Sequence, residues 1–295
     1  MSKLLVLFVF HIYNERVESF IKNCIFKDDN IDFVIVCNNK KIVYDCPDYV
    51  KKINRDNIGF DFGGWSHALL YNNLYSSYDN FIFVNSSVIG PFLKTEGIKW
   101  TDIYLSGLKD NVKLFGSTIN TVSDPEHKSH VQSYIFSMDK LTLEYLIKCN
   151  IFSINRNVRN MNEAIWNKEV LMSRKIIENG WNIGSLLPYY QGVDFTFSNK
   201  KFKDYKLKNY DDLMFNKYHN VLWNEYELLF VKGNRIQINL FNKNTNTNTN
   251  TNVNLPRTIK NKEELMKNPR YLKAMNISSY TKNNGKLPPI IKKVM

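Results

Sequence analysis

The stretch from Arg55 to Leu93 opens as R-D-N-I-G-F-D-F-G-G-W-S-H-A-L-L and closes, after a short helical spacer, as F-I-F-V-N-S-S-V-I-G-P-F-L. The first half reads as a polar, glycine-bearing turn running into a helix over Trp65–Leu74. The second half reads as a buried strand, Phe81–Val84, that stops at the small polar triplet Asn85-Ser86-Ser87. A strand ending in small polar residues beside a glycine-rich turn is the layout of a ligand crevice in an open α/β sheet. The two halves are therefore expected to converge.

Outward from this stretch, the pattern alternates strands and helices. Leu4–Phe10 is a continuous β-branched and aromatic run, as in a strand buried on both faces. Glu15 to Ile25 carries Val17, Phe20, Ile21 and Cys24 at helical spacing, and Ile31–Cys37 is a second buried strand. This strand–helix–strand order opens a Rossmann-like unit. A short strand is expected around Ile53, a helix over Trp100 to Leu108 and a strand over Val112–Ser117, followed by a polar loop from Thr118 to Lys128. Val131–Met138 reads as extended, and Asp139 as the cap of a helix through Ile147. Asn162–Glu178 reads as an amphipathic helix with Ile165, Trp166, Val170, Ile176 and Ile177 inward, closed by Gly180. Short strands are expected at Trp181–Leu187 and Glu227–Val231. The fold class is thus α/β, a mixed and mostly parallel sheet flanked by helices over residues 1–235. Residues 236–295 read as a tail: a low-complexity Asn/Thr run from Asn244 to Asn252, then a Lys-rich segment with one candidate helix at 262–267.

Composition narrows the function classes. With 295 residues, 43% of them hydrophobic, the chain can bury a large core. The net charge of +12 suits anionic partners. Much of the Lys excess lies beyond Lys200, and no groove-reading module appears, so nucleic acid is not expected as the primary partner. The four cysteines form no C-x-x-C pair, which argues against zinc and against a disulfide framework. The apolar N-terminal run is short and lacks a cleavage site, and no run is long enough to span a bilayer. A soluble, cytoplasmic protein is expected.

The candidate chemistry lies in four places. In the first turn, Asn57, Gly59, Asp61, Gly63 and Gly64 supply backbone N–H groups for phosphate or ribose and an acceptor for hydroxyls, with Arg55 as a phosphate partner. A tight turn with an exposed Asp would use the same residues. The order is not G-x-G-x-x-G, so a nicotinamide cofactor is not indicated. Asn85, Ser86 and Ser87 offer only uncharged oxygens at the strand end. Hard cations prefer charged oxygens, which leaves Ser87 a weak metal ligand and any Mn2+ or Mg2+ an open question. His11 ends the first strand, and His130 (with His127 in the same loop) precedes an extended segment. Glu169, beside Trp166 and Val170, is the candidate general base, with burial expected to raise its pKa; Asp194 is the second candidate.

The segments F-V-F-H-I-Y-N, N-I-G-F-D-F-G-G-W, F-I-F-V-N-S-S-V-I-G-P-F, H-V-Q-S-Y, K-E-V-L-M-S with G-W-N-I, and Y-E-L-L-F-V-K-G-N-R occur in order from Leu4 to Arg235. Together they resemble glycosyltransferases of the GT-A fold, of the rhamnan-synthesis type and the related domains of giant DNA viruses. The resemblance implies a nucleotide-sugar donor, UDP- or dTDP-linked, with a deoxyhexose such as rhamnose as one candidate sugar. It implies donor binding by His11, the N-x-G-x-D turn and the N-S-S strand end, and a sugar hydroxyl of a glycan or glycoprotein as acceptor. Glu169 becomes base or acceptor ligand, and His130 and Trp65 the expected contacts to acceptor or diphosphate. Inversion is the expected stereochemical course. A viral source would place the protein in host cytoplasm or virion. The rival expectation is a binding module of the same fold that has lost turnover, favoured by the uncharged Asn-Ser-Ser triplet.

Overall fold

A computed structural model describes residues 2–121, 129–201, 204 and 225–233, and the backbone of 236–237 and 258–259. The elements run β1 (Leu4–Phe10), α1 (Glu15–Cys24), β2 (Ile31–Cys37), β3 (Lys51–Asn54), α2 (Phe60–Leu70), β4 (Asn80–Asn85), β5 (Val88–Ile89), α3 (Trp100–Ser106), β6 (Val112–Gly116) and β7 (Ile119–Asn120). There follow β8 (His130–Val131), β9 (Ile135–Asp139), α4 (Lys140–Lys148), α5 (Met161–Ala164), a π-helical turn (Ile165–Val170), α6 (Leu171–Glu178), β10 (Asn182–Ser185), α7 (Glu225–Leu228) and β11 (Val231–Lys232).

Among the described residues, seven strands form the main sheet in the order β10-β6-β9-β4-β1-β2-β3. β1 lies parallel to both β2 and β4, β2 parallel to β3, and β10 parallel to β6. β9 runs antiparallel to β4 and β6. All seven residues of β1 are buried, as a central strand covered on both faces demands. Alternate side chains serve opposite layers. Phe8 stacks on Phe20 of α1 at 4.0 Å between centroids. On the other face, Phe83 of β4 stacks on Phe136 at 4.8 Å and on Phe152 at 5.0 Å, with the Trp65 ring edge-on at 5.6 Å. Each such ring, taken fully from water, contributes roughly 1.5–3 kcal/mol.

Several expectations are corrected. α2 starts at Phe60, not Trp65, because Gly59 (φ 79°) takes the left-handed N-cap conformation and the Gly63 amide donates to its carbonyl at 2.8 Å. Gly63 and Gly64 therefore lie inside the helix rather than in a turn. The extended segment 131–138 is broken: β8 pairs with β7, and β9 joins the main sheet. In place of a strand over Glu227–Val231, residues 225–228 are helical and only Val231–Lys232 is extended, paired antiparallel with β5. Of the tail, Ile236–Gln237 pairs antiparallel with Thr258–Ile259. The Asn/Thr run, the candidate helix at 262–267 and His127 lie outside the described residues. No helix among the described residues is long and apolar enough to cross a membrane.

Candidate functional site at the strand ends

The C-terminal ends of β1, β2 and β4 lie side by side and carry His11, Asn38 and Asn85. Asn38, 1% exposed, is the strut of this edge. Its carbonyl accepts from His11 Nδ1 at 2.8 Å, its side-chain oxygen from Arg55 Nη1 at 2.6 Å, and its amide donates to the Phe60 carbonyl at 3.0 Å. Arg55 also donates to the Ile58 carbonyl at 2.8 Å. Arg55 thus braces the loop before α2, and burial lowers its pKa. Asn57 is exposed in that loop.

The glycines answer to packing. A Cβ on Gly63 would sit 2.0 Å from the Ile58 carbonyl oxygen, and one on Gly64 2.8 Å from Val9 Cγ2. This close approach brings the start of α2 down onto β1 and onto Asn38 at the end of β2, and Asp61 with it. An acid in the first turn of a helix is favoured by the macrodipole.

Asp61 and the N-S-S triplet meet as expected. Asn85 Nδ2 donates to Asp61 Oδ2 at 3.0 Å, while Asn85 Oδ1 accepts from the Ser87 amide at 3.0 Å and the Ser87 hydroxyl at 2.5 Å. That is an Asx turn, which ends β4 and fixes the Asn85 amide toward Asp61. From α1, Arg16 Nε donates to the Ser86 carbonyl at 3.1 Å. From β11, the Gly233 amide donates to the Ser87 carbonyl at 2.6 Å.

Glu169 arrives from the π-helical turn. His130 Nε2 lies 3.4 Å from Glu169 Oε1, and the Ser133 hydroxyl donates to Glu169 Oε2. The neighbouring Lys168, 5% exposed, points the other way and donates to the Asn150 and Ile151 carbonyls at 2.8 Å each. The wide π turn turns two successive residues inward, one to the end of α4 and one to the site. Burial pushes the Lys168 pKa down to about 8.

The two carboxylates titrate in opposite directions. Burial raises Asp61 to about 6 despite the Asn85 hydrogen bond; the nearby Glu169 charge adds to the rise, and Lys232 and His11 oppose it. Burial also acts to raise Glu169, but His130, Lys232 and Ser133 outweigh it and hold the carboxyl down at about 2. The expected upward shift of Glu169 is thereby corrected: its partners favour the charged form more than burial disfavours it.

Two further expectations fail. Trp65 is fully buried among Phe62, Phe83 and Phe136, so its ring is core and reaches no acceptor or diphosphate. Asp194 caps its own turn through Thr196, and its neighbours Val193 and Phe195 are tied to Asn182, the first residue of β10. Because β10 runs in the same direction as β4, that position is the opposite end of the sheet from Asn85.

Several oxygens of this donor set already have protein partners: Asn85 Oδ1 accepts from Ser87, and the Glu169 carboxylate meets His130 and Ser133. Among the described residues no three His, Cys, Asp or Glu side chains form a cluster suited to a metal ion. Sequence reasoning passed over Arg16, Asn38, Ser133 and Lys232. Ser133 and Lys232 stood in the quoted segments H-V-Q-S-Y and F-V-K-G-N-R, where the Lys-Gly step after an apolar run was the available signal.

The model of the family described as RgpF: Rhamnan synthesis protein F matches residues 34–256. Virulence protein VirA of Vibrio anguillarum, in two sequences, is 32% identical over 99 residues, covering 32% of this chain and 28% of that protein. The chain thus spans little more than a quarter of the length of these curated relatives. Among solved structures, the apo WbbM bifunctional glycosyltransferase aligns over 70% of this chain and 43% of that one, at 14% identity and a TM-score of 0.33. A197 from STIV aligns over 48% and 67%, at 10% identity and a TM-score of 0.28. Likeness at those scores carries no functional weight; the family match extends over well more than half of the chain. The chain belongs to the rhamnan synthesis protein F family.

Proposed function

We propose that this chain is a glycosyltransferase of GT-A architecture. It moves a sugar from a UDP- or dTDP-linked donor, a deoxyhexose such as rhamnose, to a hydroxyl of a glycan or glycoprotein acceptor, with inversion. The observation that carries the reading is the Asp61–Asn85–Ser87 contact at the C-terminal end of β4, where ligands of open α/β sheets bind, with the Glu169–His130 pair near enough for its charge to act on Asp61. Membership in a family named for rhamnan synthesis supports it.

Asp61 is the carboxylate suited to take the acceptor proton. A general base works best with a pKa near the working pH, and Asp61 at about 6 meets that condition where Glu169 at about 2 does not. Glu169 is a fixed anion that orients His130 and Ser133. His11, Asn57 and Ser87 face the donor. The proton passes from the acceptor hydroxyl to Asp61 as its oxygen bonds the anomeric carbon and the nucleoside diphosphate leaves.

A panel of UDP- and dTDP-sugars tests this by thermal shift and by nucleoside diphosphate release. At least one donor is expected to raise the melting temperature and to turn over. A panel that neither shifts melting nor releases product, with manganese present or absent, removes the reading.

A further inference from the structure

The departing nucleoside diphosphate needs positive charge beside it, and the neutral N-S-S triplet offers no carboxylates to hold a divalent cation there. Strand β11 brings another source. β11 pairs antiparallel with β5, with Lys232 opposite Val88 and Val231 opposite Ile89. The Gly233 amide closes the joint on the Ser87 carbonyl at 2.6 Å. The docking is tight enough to require a glycine: a Cβ on Gly233 would sit 2.4 Å from Ile89 Cδ1 and 3.0 Å from Arg16 Cδ. Lys232 is thereby fixed next to the triplet. On the other side, Arg16 holds the Ser86 carbonyl from α1.

We propose that Lys232, delivered by β11 and flanked by Arg16, is a catalytic residue that binds the donor's diphosphate and stabilises it as it leaves, in the place a metal ion would otherwise fill. This rests on the glycosyltransferase reading of the same site. The charge of Lys232 also acts on both Asp61 and Glu169, lowering the pKa of each. In the transfer step the bond from the anomeric carbon to the phosphate oxygen breaks, its electron pair stays on that oxygen, and the Lys232 ammonium donates to it. The acceptor oxygen forms the new bond and its proton goes to Asp61. No oxidant or reductant is involved. A preorganised cation at developing negative charge acts most strongly where water is scarce.

The test uses the full chain as wild type, Lys232→Met, Lys232→Gln and Lys232→Arg. Binding of UDP, dTDP, uridine and thymidine is measured by titration calorimetry, and turnover is measured in EDTA and in manganese. Neutral variants are expected to bind nucleoside diphosphate about tenfold more weakly, the scale of one charge-assisted hydrogen bond. Nucleoside binding should be unchanged. Their kcat should fall about 10²-fold, Lys232→Arg should recover part of the loss, and wild-type turnover should persist in EDTA. Nucleoside diphosphate binding that survives both neutral substitutions overturns the assignment of Lys232 alone. Wild-type turnover lost in EDTA and restored by manganese does the same. A wild-type chain that binds neither UDP nor dTDP takes down the donor site and this inference together.

Discussion

The Asn85 amide donates to the Asp61 carboxylate at 3.0 Å, joining the end of β4 to the first turn of α2. One bond therefore links the two halves of the Arg55–Leu93 stretch. It partly offsets the burial that makes the Asp61 charge costly.

Asp61→Asn is expected to stabilise the protein while stopping transfer. The folded pKa of Asp61, about 6, lies above the ordinary 3.8. The folded state therefore binds this proton more tightly than the unfolded one, and stability falls as pH rises through the window from about 4 to 6. Above pH 6 the variant should gain on the order of 1–3 kcal/mol, and below pH 4 the gain should vanish. Melting curves from pH 4 to 8 read this directly. The kcat should fall at least about 10²-fold; a variant that keeps wild-type turnover acquits Asp61 of proton transfer.

Glu169→Gln should do the reverse to stability. Its folded pKa of about 2 lies below the ordinary 4.5. The stabilisation is present at neutral pH and is lost as pH falls through the window from 4.5 toward 2. Removing the charge beside His130 and Ser133 should cost about 1–3 kcal/mol at pH 7. Chemical denaturation at pH 7 and pH 3 checks the sign; an equal loss at both would show that the Glu169 charge contributes nothing.

Gly63→Ala tests the approach of α2 to the loop before it. The added methyl meets the Ile58 carbonyl oxygen at 2.0 Å, and backbone cannot swing aside as a flexible side chain would. A loss of roughly 3 kcal/mol or more is expected, seen as a lower denaturation midpoint. Unchanged stability would mean that the helix start can shift freely.

Trp65→Ala separates core from site. Deleting a fully buried Trp costs about 3–5 kcal/mol, and the surviving folded fraction should keep wild-type KM for donor. Asp194→Asn should leave kcat within about twofold, since that side chain serves only its own turn and surface changes of this kind stay near neutral. A large kcat loss in the Asp194 variant at unchanged stability would restore it to the site.

The strands were the most legible part of the chain. β1 is an uninterrupted apolar run of seven buried residues and β2 is one from Phe33 to Cys37, each followed by polar residues, a form that suits a buried strand. The meeting of Asp61 with Asn85 and Ser87 was legible because both segments end strands of one parallel layer. The start of α2 was hidden by Gly63 and Gly64, which read as turn residues although tight packing, not chain reversal, requires them. Trp65 misled because an aromatic beside a polar turn suits a sugar as well as a core. The direction of the Glu169 shift depended on His130 and Ser133, thirty-six and more residues away in sequence, and no local pattern encodes that. Lys232 was missed for a related reason: its place is set by pairing with Val88, far back along the chain.

That pairing carries a consequence for synthesis. The carboxylates at 61 and 169 leave the ribosome well before residue 232, so a growing chain lacks the Lys232 charge beside them until β11 pairs with β5. Maturation of the pocket is therefore a late, long-range event, and a product stopped short of Val231 would carry the scaffold without its counter-charge.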